Sequence, residues 1–234
     1  MHLFYVPNIA SEKILPEEES QHAVRVLRLK VGDEIIIIDG VGGWFNAKII
    51  NPHPKKCEFE ITQTIVEYEK RNFKLHIAIA PTKNIERIEW FLEKATEIGI
   101  DEITPVICQF SERKIIKPER LEKIIVSAAK QSLKAYFPKL NSACTFNEFL
   151  NKYSANQQFI AHCYSDNKQT LQSLYNKSSD VIILIGPEGD FSPDEVKKAL
   201  ASNYLPVSLG NSRLRTETAG VVACHTVVLL NETE

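Results

Sequence analysis

The chain has 234 residues, of which 44% are hydrophobic and 25% are charged, a composition typical of a globular protein that excludes a disordered or collagen-like chain. With 28 Lys and Arg against 30 Asp and Glu, the formal net charge of -2 argues against a protein that coats nucleic acid indiscriminately. The longest apolar stretches are well short of the roughly 20 residues that span a bilayer, so we predict no membrane segment. The N-terminus lacks a signal-peptide pattern and the five cysteines form no C-x-x-C pair, which predicts a cytoplasmic protein without a zinc site.

The basic residues are concentrated in the middle of the chain. Residues 71–140 carry 13 Lys and Arg against 9 Asp and Glu, whereas the parts on either side are net acidic. Within this region, residues 111–140 form a candidate surface for phosphate contacts. A solvated helix face with Glu and Lys at helical spacing is the alternative, and charge alone favours that alternative.

The first seventy residues predict a small β-rich domain with one helix. Short apolar runs predict strands at residues 3–6, 34–39, 44–50 and 57–67, and a helical period predicts a helix at 17–29. Between the second and third strands, the glycines in Asp39-Gly40-Val41-Gly42-Gly43 suit a tight hairpin turn.

A polar stretch at residues 67–72 separates this region from one in which strands alternate with helices. We therefore predict two domains, residues 1–70 and 71–234. Strands are predicted at residues 74–80, 103–107, 158–162, 181–185 and 205–209. Helices are predicted at residues 84–98, 118–133, 146–152, 168–175, 193–203 and 217–230. This alternation predicts an α/β fold whose mostly parallel sheet is covered on both faces.

The first candidate ligand loop follows the most apolar predicted strand. It reads Ile185-Gly186-Pro187-Glu188-Gly189, with two glycines around a proline. Glycine lets a backbone approach a ligand closely, and proline stiffens the loop. Ligands of open parallel sheets collect at the carboxyl ends of the strands, so this loop predicts a binding site. It also connects a strand to a helix, for which Ser192 is the predicted cap.

The second candidate loop follows the last predicted strand and contains two arginines, Arg213 and Arg215. The terminal helix begins directly afterwards, with Thr216 as a predicted cap and Glu217 in the first turn. Each arginine alone is more often a surface side chain. Beside a glycine-rich loop at a neighbouring strand end, the pair favours an anionic or polar ligand.

Several common catalytic motifs do not occur in this sequence. It contains no phosphate-loop, zinc-peptidase or serine-hydrolase motif, and its six histidines show no metal-ligand spacing. We therefore predict no metal and none of these three chemistries.

The two loops together resemble the paired signature of the α/β-knot (SPOUT) methyltransferases, and specifically the family of ribosomal RNA small-subunit methyltransferase E. The resemblance covers the whole chain, and several spaced motifs in order are more specific than any one of them. The motifs that carry it are His22–Arg28 with Gly32-Asp33, Lys94–Gly99, Ser111–Arg113, Ala129–Ser132, Gly186–Gly189, Leu209-Gly210 and Leu214–Ala219. The chain departs from the family pattern at Asp190, where a third glycine is usual, at the added Asn211-Ser212, and at Lys134, where an arginine is usual.

The resemblance implies a C-terminal SPOUT α/β domain with a deep trefoil knot and a small N-terminal PUA-like β-barrel domain that binds RNA. It also implies S-adenosylmethionine as the cofactor and a homodimer with the terminal helix at its interface. The cofactor-binding residues that it implies lie at three strand ends: His162, Ile185, Gly186, Pro187, Glu188, Gly189, Leu209, Gly210, Ser212, Leu214 and Thr218.

The activity implied by the resemblance is methylation of N3 of a uridine in 16S ribosomal RNA of the small subunit. Arg215 and Glu217 are the catalytic candidates. The guanidinium of Arg215 stays protonated and can stabilise negative charge, whereas the carboxylate of Glu217 can accept either a proton or hydrogen bonds from backbone N–H groups. The candidate RNA contacts are Arg25, Arg28, Arg113, Lys114 and Lys134. Two alternatives stay open, namely a knot methyltransferase that acts on another RNA and a non-catalytic RNA-binding factor in ribosome assembly.

Overall fold

The structure is a computed structural model that describes residues 2–164 and 168–232. The chain forms two compact units. One comprises Met1–Lys70 together with Ala129–Phe137, and the other comprises Arg71–Ala128 together with Pro138–Glu234. Within the described residues, no helix combines the length and apolar character needed to cross a membrane.

The first unit is built on a four-stranded sheet in the order β1-β2-β3-β4. Its elements are β1 (Leu3–Tyr5), α1 (Glu17–Gln21), a π-helical turn (His22–Val26), β2 (Glu34–Ile38), β3 (Trp44–Asn51) and β4 (Glu58–Ile65). Strands β1 and β2 are parallel, and the other two pairs are antiparallel. One face buries a core that includes Phe4, Ile37 and Phe59, so the predicted β-rich character is confirmed.

The helix predicted at residues 17–29 is shorter and less regular than expected. The α-helical part ends at Gln21, the π-helical turn ends at Val26, and Arg28 adopts a φ of 57°. A residue in the left-handed region cannot continue a right-handed helix, which explains why the element stops before Leu29. The predicted hairpin turn is confirmed, and Asp39 Oδ1 holds it by accepting hydrogen bonds from the backbone N–H groups of Val41 and Gly43, both at 2.8 Å.

The second unit contains a parallel sheet in the order β11-β9-β10-β5-β6-β7. Its strands are β5 (Leu75–Ile79), β6 (Glu102–Ile107), β7 (Lys139–Leu140), β8 (Cys144–Thr145), β9 (Gln157–Ala161), β10 (Val181–Ile185) and β11 (Leu205–Val207). Its helices are α2 (Ile85–Ile98), α3 (Pro118–Gln131), α4 (Phe146–Lys152), α5 (Leu171–Leu174), α6 (Pro193–Ala201) and α7 (Thr216–Glu232). Every residue of β5 and β10 is buried, as expected for central strands with both faces covered.

Two hydrophobic clusters cover the two faces of this sheet. The larger one joins α2 and α7 through Phe91, Ala95 and Ala223, and the smaller one includes Phe149 of α4 and Ala199 of α6. The predicted strands and long helices of this region are confirmed within a few residues. The helix predicted at residues 168–175 is reduced to Leu171–Leu174, and the two-residue strands β7 and β8 were missed because they are too short to show a period.

Candidate active site at the carboxyl edge of the sheet

Three adjacent strands bring most of the predicted cofactor-binding residues to one edge of the sheet. Strand β9 lies between β11 and β10, and all three run parallel. His162 follows β9, Gly186–Gly189 follows β10, and Leu209-Gly210 follows β11. Parallel strands end at the same edge, so residues that are far apart in the sequence are neighbours in space.

The loop after β10 is fixed by close packing and by its own hydrogen bonds. Gly186 is buried, and a Cβ there would lie 3.1 Å from the ring of Phe191. Asp190 adopts a φ of 66°, a conformation that Asp tolerates better than most side chains. Its carboxylate accepts hydrogen bonds from Cys163 N at 2.7 Å and Phe191 N at 2.8 Å. Asp190 therefore keeps a glycine-like backbone and also ties this loop to the end of β9.

The loop after β11 is joined to the loop after β10 through Thr216. The sequence predicts Thr216 as a helix cap, but its hydroxyl donates a hydrogen bond to Gly186 O at 3.0 Å. Gly210 has a φ of 132°, and apart from its chain neighbours no atom of the described residues lies within 4 Å of the position that its Cβ would occupy. The open space beside Gly210 and the fixed backbone at Gly186 suit a loop pair that encloses a ligand. Ser212 is exposed in the same loop.

His162 presents an unused ring nitrogen at the middle of this edge. Its Nδ1 accepts a hydrogen bond from Tyr164 N at 3.1 Å, whereas its buried Nε2 has no hydrogen-bond partner among the described residues. Burial lowers the pKa of His162, and the positive charge of Lys168 lowers it further, against an opposing effect of Asp190. The imidazole is therefore neutral at pH 7, and a ligand enclosed at this edge would give its buried Nε2 a hydrogen-bond partner.

A groove of about 560 Å³ lies beside the start of α7. Both catalytic candidates, Arg215 and Glu217, line it, together with Arg213, Leu214 and Thr218. The opposite wall comes from the first turns of α2 and consists of Asn84, Glu86, Arg87 and Trp90. This wall was not predicted from the sequence, since its residues belong to no recognised motif and only the packing of α2 on α7 brings them near the start of α7.

Glu217 is the most buried charged residue of the groove, with a relative exposure of 7%. Its Oε1 lies 3.8 Å from Arg87 Nε, and its Oε2 is buried without a hydrogen-bond partner among the described residues. A buried carboxylate oxygen without a donor is costly, so a ligand N–H group that reaches it would remove this cost.

The candidate RNA contacts differ in how accessible their charges are. Arg25 and Arg28 are exposed and Lys134 is partly exposed in the first unit, and Lys114 is exposed in the second. Arg113 instead donates to two backbone carbonyls, with Nη2 2.7 Å from Lys83 O and Nε 3.1 Å from Thr82 O. Its guanidinium thus fixes the loop after β5.

Potential metal ligands do not cluster in the described ranges. Across residues 2–164 and 168–232, no group of three or more His, Cys, Asp or Glu side chains is arranged to hold a metal ion.

Comparison with known families gives two matches along the chain. The model of the RNA methyltransferase domain matches residues 69–228, and that of the RNA methyltransferase PUA domain matches residues 15–62. The first match covers more than half of the chain.

Individual proteins give the same result. The chain is 30% identical to the ribosomal RNA small subunit methyltransferase E of Rickettsia conorii, over 97% of this chain and 94% of that protein. A crystal structure of a "probable rRNA-methyltransferase" from Porphyromonas gingivalis matches with a TM-score of 0.94 and 43% identity, covering 99% of this chain and 98% of that one. The Neisseria gonorrhoeae ribosomal RNA small subunit methyltransferase E bound to S-adenosyl methionine matches with a TM-score of 0.84 and 26% identity, covering 98% of both chains.

The loops at the carboxyl edge, the two matching domains and the full-length relatives agree with the motifs read from the sequence. The chain belongs to the RNA methyltransferase family of ribosomal RNA small subunit methyltransferase E.

Proposed function

We propose that this protein transfers a methyl group from S-adenosylmethionine to N3 of a uridine in 16S ribosomal RNA of the small subunit. One observation carries the proposal: a single unit holds both the loops that follow β9, β10 and β11 at one sheet edge and a charged groove lined by Arg215 and Glu217. The relatives named above act on ribosomal RNA by name, and one of them holds the cofactor in its crystal structure.

The residues at the carboxyl edge fit S-adenosylmethionine. The unpartnered Nε2 of His162 offers a hydrogen bond to a polar group, and the empty space beside Gly210 leaves room for a ligand against the backbone. The loops at Gly186–Gly189 and Leu209–Leu214 would hold the ligand, and threading of this segment into a trefoil knot remains our prediction. When bound, this cofactor supplies a methyl group that is activated by a positively charged sulfur.

The chemistry at the uracil ring assigns distinct tasks to the two catalytic candidates. A bond forms between N3 and the methyl carbon while the bond from that carbon to sulfur breaks, and the N3 proton must leave the ring. Of the two carboxylates in the groove, Glu86 and Glu217, only Glu217 has a buried oxygen without a partner among the described residues, and we assign it as the acceptor of this proton. Arg215 cannot act as a base and instead stabilises negative charge on the uracil oxygens.

A homodimer is part of the proposal, because α7 keeps apolar side chains on its outer side. Leu229 is 45% exposed, Val222 is partly exposed, and the helix is apolar on most of its circumference. Such a helix is usually buried on all sides, which a second copy of this chain would achieve. Because the substrate is the small ribosomal subunit, we place the enzyme in the cytoplasm, where ribosomes are assembled.

Two measurements on the purified protein test this function. Titration calorimetry with S-adenosylmethionine is expected to show saturable binding, and labelled methyl groups are expected to appear in 16S RNA of small subunits that lack their own modification. Digestion of the labelled RNA to nucleosides is expected to yield N3-methyluridine. Label in transfer RNA alone would assign the enzyme another RNA substrate, and folded protein without cofactor binding would refute the enzymatic function.

A further inference from the structure

Trp90 is an exposed aromatic side chain on the wall of the groove. It is 42% exposed, whereas the next residue along α2, Phe91, is fully buried in the core against α7. Trp90 therefore keeps a large part of its surface open beside the groove. A single exposed aromatic residue is common on protein surfaces and does not by itself indicate a site.

Two other features of the same groove indicate what it binds. The carboxylate of Glu217 is more than nine-tenths buried and keeps one oxygen without a donor. Arg213 and Arg215 are exposed, and neither guanidinium forms an ion pair with any residue in the described ranges. The groove thus combines a flat apolar surface, an acceptor that lacks a donor, and two available positive charges.

An unpaired nucleotide complements all three features. Its base offers a flat face for stacking and a ring N–H for the carboxylate, and its phosphate offers negative charge for the arginines. An apolar peptide segment would cover Trp90 but leave the charges unpaired. The volume of about 560 Å³ falls in the usual range for small-ligand sites, roughly 300–1,000 Å³.

The groove is also separate from most of the predicted cofactor site. Of the residues predicted to bind the cofactor, Leu214 and Thr218 line the groove, whereas His162 and the loop after β10 do not. The groove therefore offers a second binding surface beside the predicted cofactor site.

We propose that Trp90 is a substrate-binding residue that stacks on the target base after the base leaves its RNA stack. Arg87 belongs to the same pocket, since its Nε lies 3.8 Å from Glu217 Oε1 and it sits one helical turn from Trp90. This inference deepens the proposed function and rests on it. Glu217 then faces the edge of the stacked base.

Two variants and a control test the role of Trp90. Trp90→Ala is expected to raise the KM for small subunits between about 5- and 100-fold, the usual effect of removing one aromatic stacking partner. Trp90→Phe keeps a stacking surface and is expected to stay within about threefold of the wild type. Leu200→Ala on α6 removes another exposed apolar side chain, 45% exposed and outside the groove, and is expected to change nothing. Cofactor affinity, measured by calorimetry, is expected to be equal in all four proteins.

Tryptophan fluorescence gives a readout that does not depend on activity. The chain has two tryptophans, and Trp44 is only 7% exposed. A uridine hexanucleotide, added with S-adenosylmethionine present, is expected to quench the wild-type emission by stacking on Trp90. Most of this quenching is expected to disappear in Trp90→Phe.

The outcomes separate this inference from the proposed function. If the wild type methylates small subunits while Trp90→Ala keeps its KM and Trp90→Phe keeps the quenching, the stacking role is refuted and the enzymatic function stands. If the wild type transfers no methyl group, both fail. If Trp90→Ala turns a dimer into a monomer in sedimentation without changing the quenching, Trp90 is a subunit contact and the stacking role is likewise refuted.

Discussion

Arg215 and Arg113 illustrate how differently two arginines near the same sheet edge are used. Arg113 donates to the carbonyls of Thr82 and Lys83 and is part of the scaffold. Arg215 lines the groove, is exposed, and has no ion-pair partner among the described residues. At the scale of single residues, the side chain with uncommitted donors is the one available to a substrate.

Replacing Arg215 by Ala is expected to lower methyl transfer by roughly 100- to 1,000-fold, the usual cost of losing one donor to a developing negative charge. Labelled-methyl transfer under single-turnover conditions measures this loss. Cofactor affinity is expected to remain within about threefold, since the groove and the loop after β10 are distinct. Lys197→Ala on α6, another exposed cation, serves as the matched control. An Arg215→Ala enzyme with wild-type rates would exclude the residue from catalysis.

The sequence predicted part of this site because its residues follow strands in short motifs. Gly186, Gly189 and Arg215 stand in contiguous motifs that end strands or begin a helix, so the sequence indicated ligand loops there, and the family resemblance implied their roles. Trp90 could not be found in this way, because it becomes part of the groove only when α2 packs on α7. Arg113 was selected for its charge, and no pattern in the sequence indicates that backbone carbonyls occupy its donors.

At the scale of elements, α2 and α7 approach closely because α7 has small residues on its buried side. Gly220 and Ala223 are buried, and a Cβ on Gly220 would lie 2.6 Å from the ring of Phe91 and 3.0 Å from Ile79 Cδ1. The family resemblance implies that the terminal helix lies at a dimer interface. In the structure these small residues contact the protein's own core, which leaves the opposite side of α7 for a partner.

Gly220→Ala is therefore expected to destabilise the second unit. Crowding in a packed core costs about 1–3 kcal/mol, and the better helix propensity of Ala offsets roughly 1 kcal/mol of this. Urea denaturation measures the net loss. Combining Gly220→Ala with Phe91→Leu makes room for the new methyl group, so the second substitution should cost less in the Gly220→Ala background than in the wild type. Strictly additive effects would mean that the Phe91 ring is not the obstacle.

A polar network within the sheet makes stability depend on pH. His76 of β5 is buried, and its Nε2 lies 2.8 Å from Thr104 Oγ1 of β6, which also accepts a hydrogen bond from Asn141 at 2.8 Å. Burial lowers the pKa of His76 from 6.5 to about 4; Glu102 opposes the shift and Lys139 adds to it. The folded state therefore keeps the His76 imidazole neutral at pH values where the same imidazole in the unfolded chain is already protonated.

Because the pKa of His76 is lowered on folding, the stability of the folded state is greatest with respect to this group above pH 6.5. That stability is lost as the pH falls toward 4. Between pH 7.5 and pH 5 this corresponds to a loss of about 2 kcal/mol in the free energy of unfolding. Urea denaturation at the two pH values measures it. His76→Gln cannot titrate and should lose less stability over this interval, whereas His22→Gln, at an exposed position on the π-helical turn, should behave like the wild type. Equal losses in all three proteins would exclude His76 as the cause.

At the scale of the whole molecule, the small net charge of -2 hides accessible basic residues in both units. Arg25 and Arg28 are exposed on or just after the π-helical turn of the first unit, and the match to a PUA domain includes both of them. The sequence predicted the strands and their alternation with helices, because apolar periods encode them. The addition of Ala129–Phe137 to the first unit depends on backbone hydrogen bonds to Gly40 and Gly42, which carry no sequence signal.

If Arg25 and Arg28 contact RNA phosphates, they contribute to the salt dependence of binding. The logarithm of the association constant falls linearly with the logarithm of salt concentration, with a slope that changes by about one for each phosphate contact removed. We expect Arg25→Gln with Arg28→Asn to make the slope for 16S RNA shallower by about two units while cofactor affinity stays unchanged. Asn is chosen at position 28 because it tolerates the φ of 57° better than Gln or Ala.

The matched control, Lys197→Gln with Lys198→Gln on α6, removes two positive charges from the other unit and should leave the slope unchanged. Filter binding at salt concentrations from about 50 to about 300 mM measures both slopes, because phosphate contacts make the association constant strongly salt-dependent there. An unchanged slope in the arginine variant would show that these two residues do not contact RNA phosphates. Lys114 and Lys134 would then be the remaining candidate contacts with accessible charges.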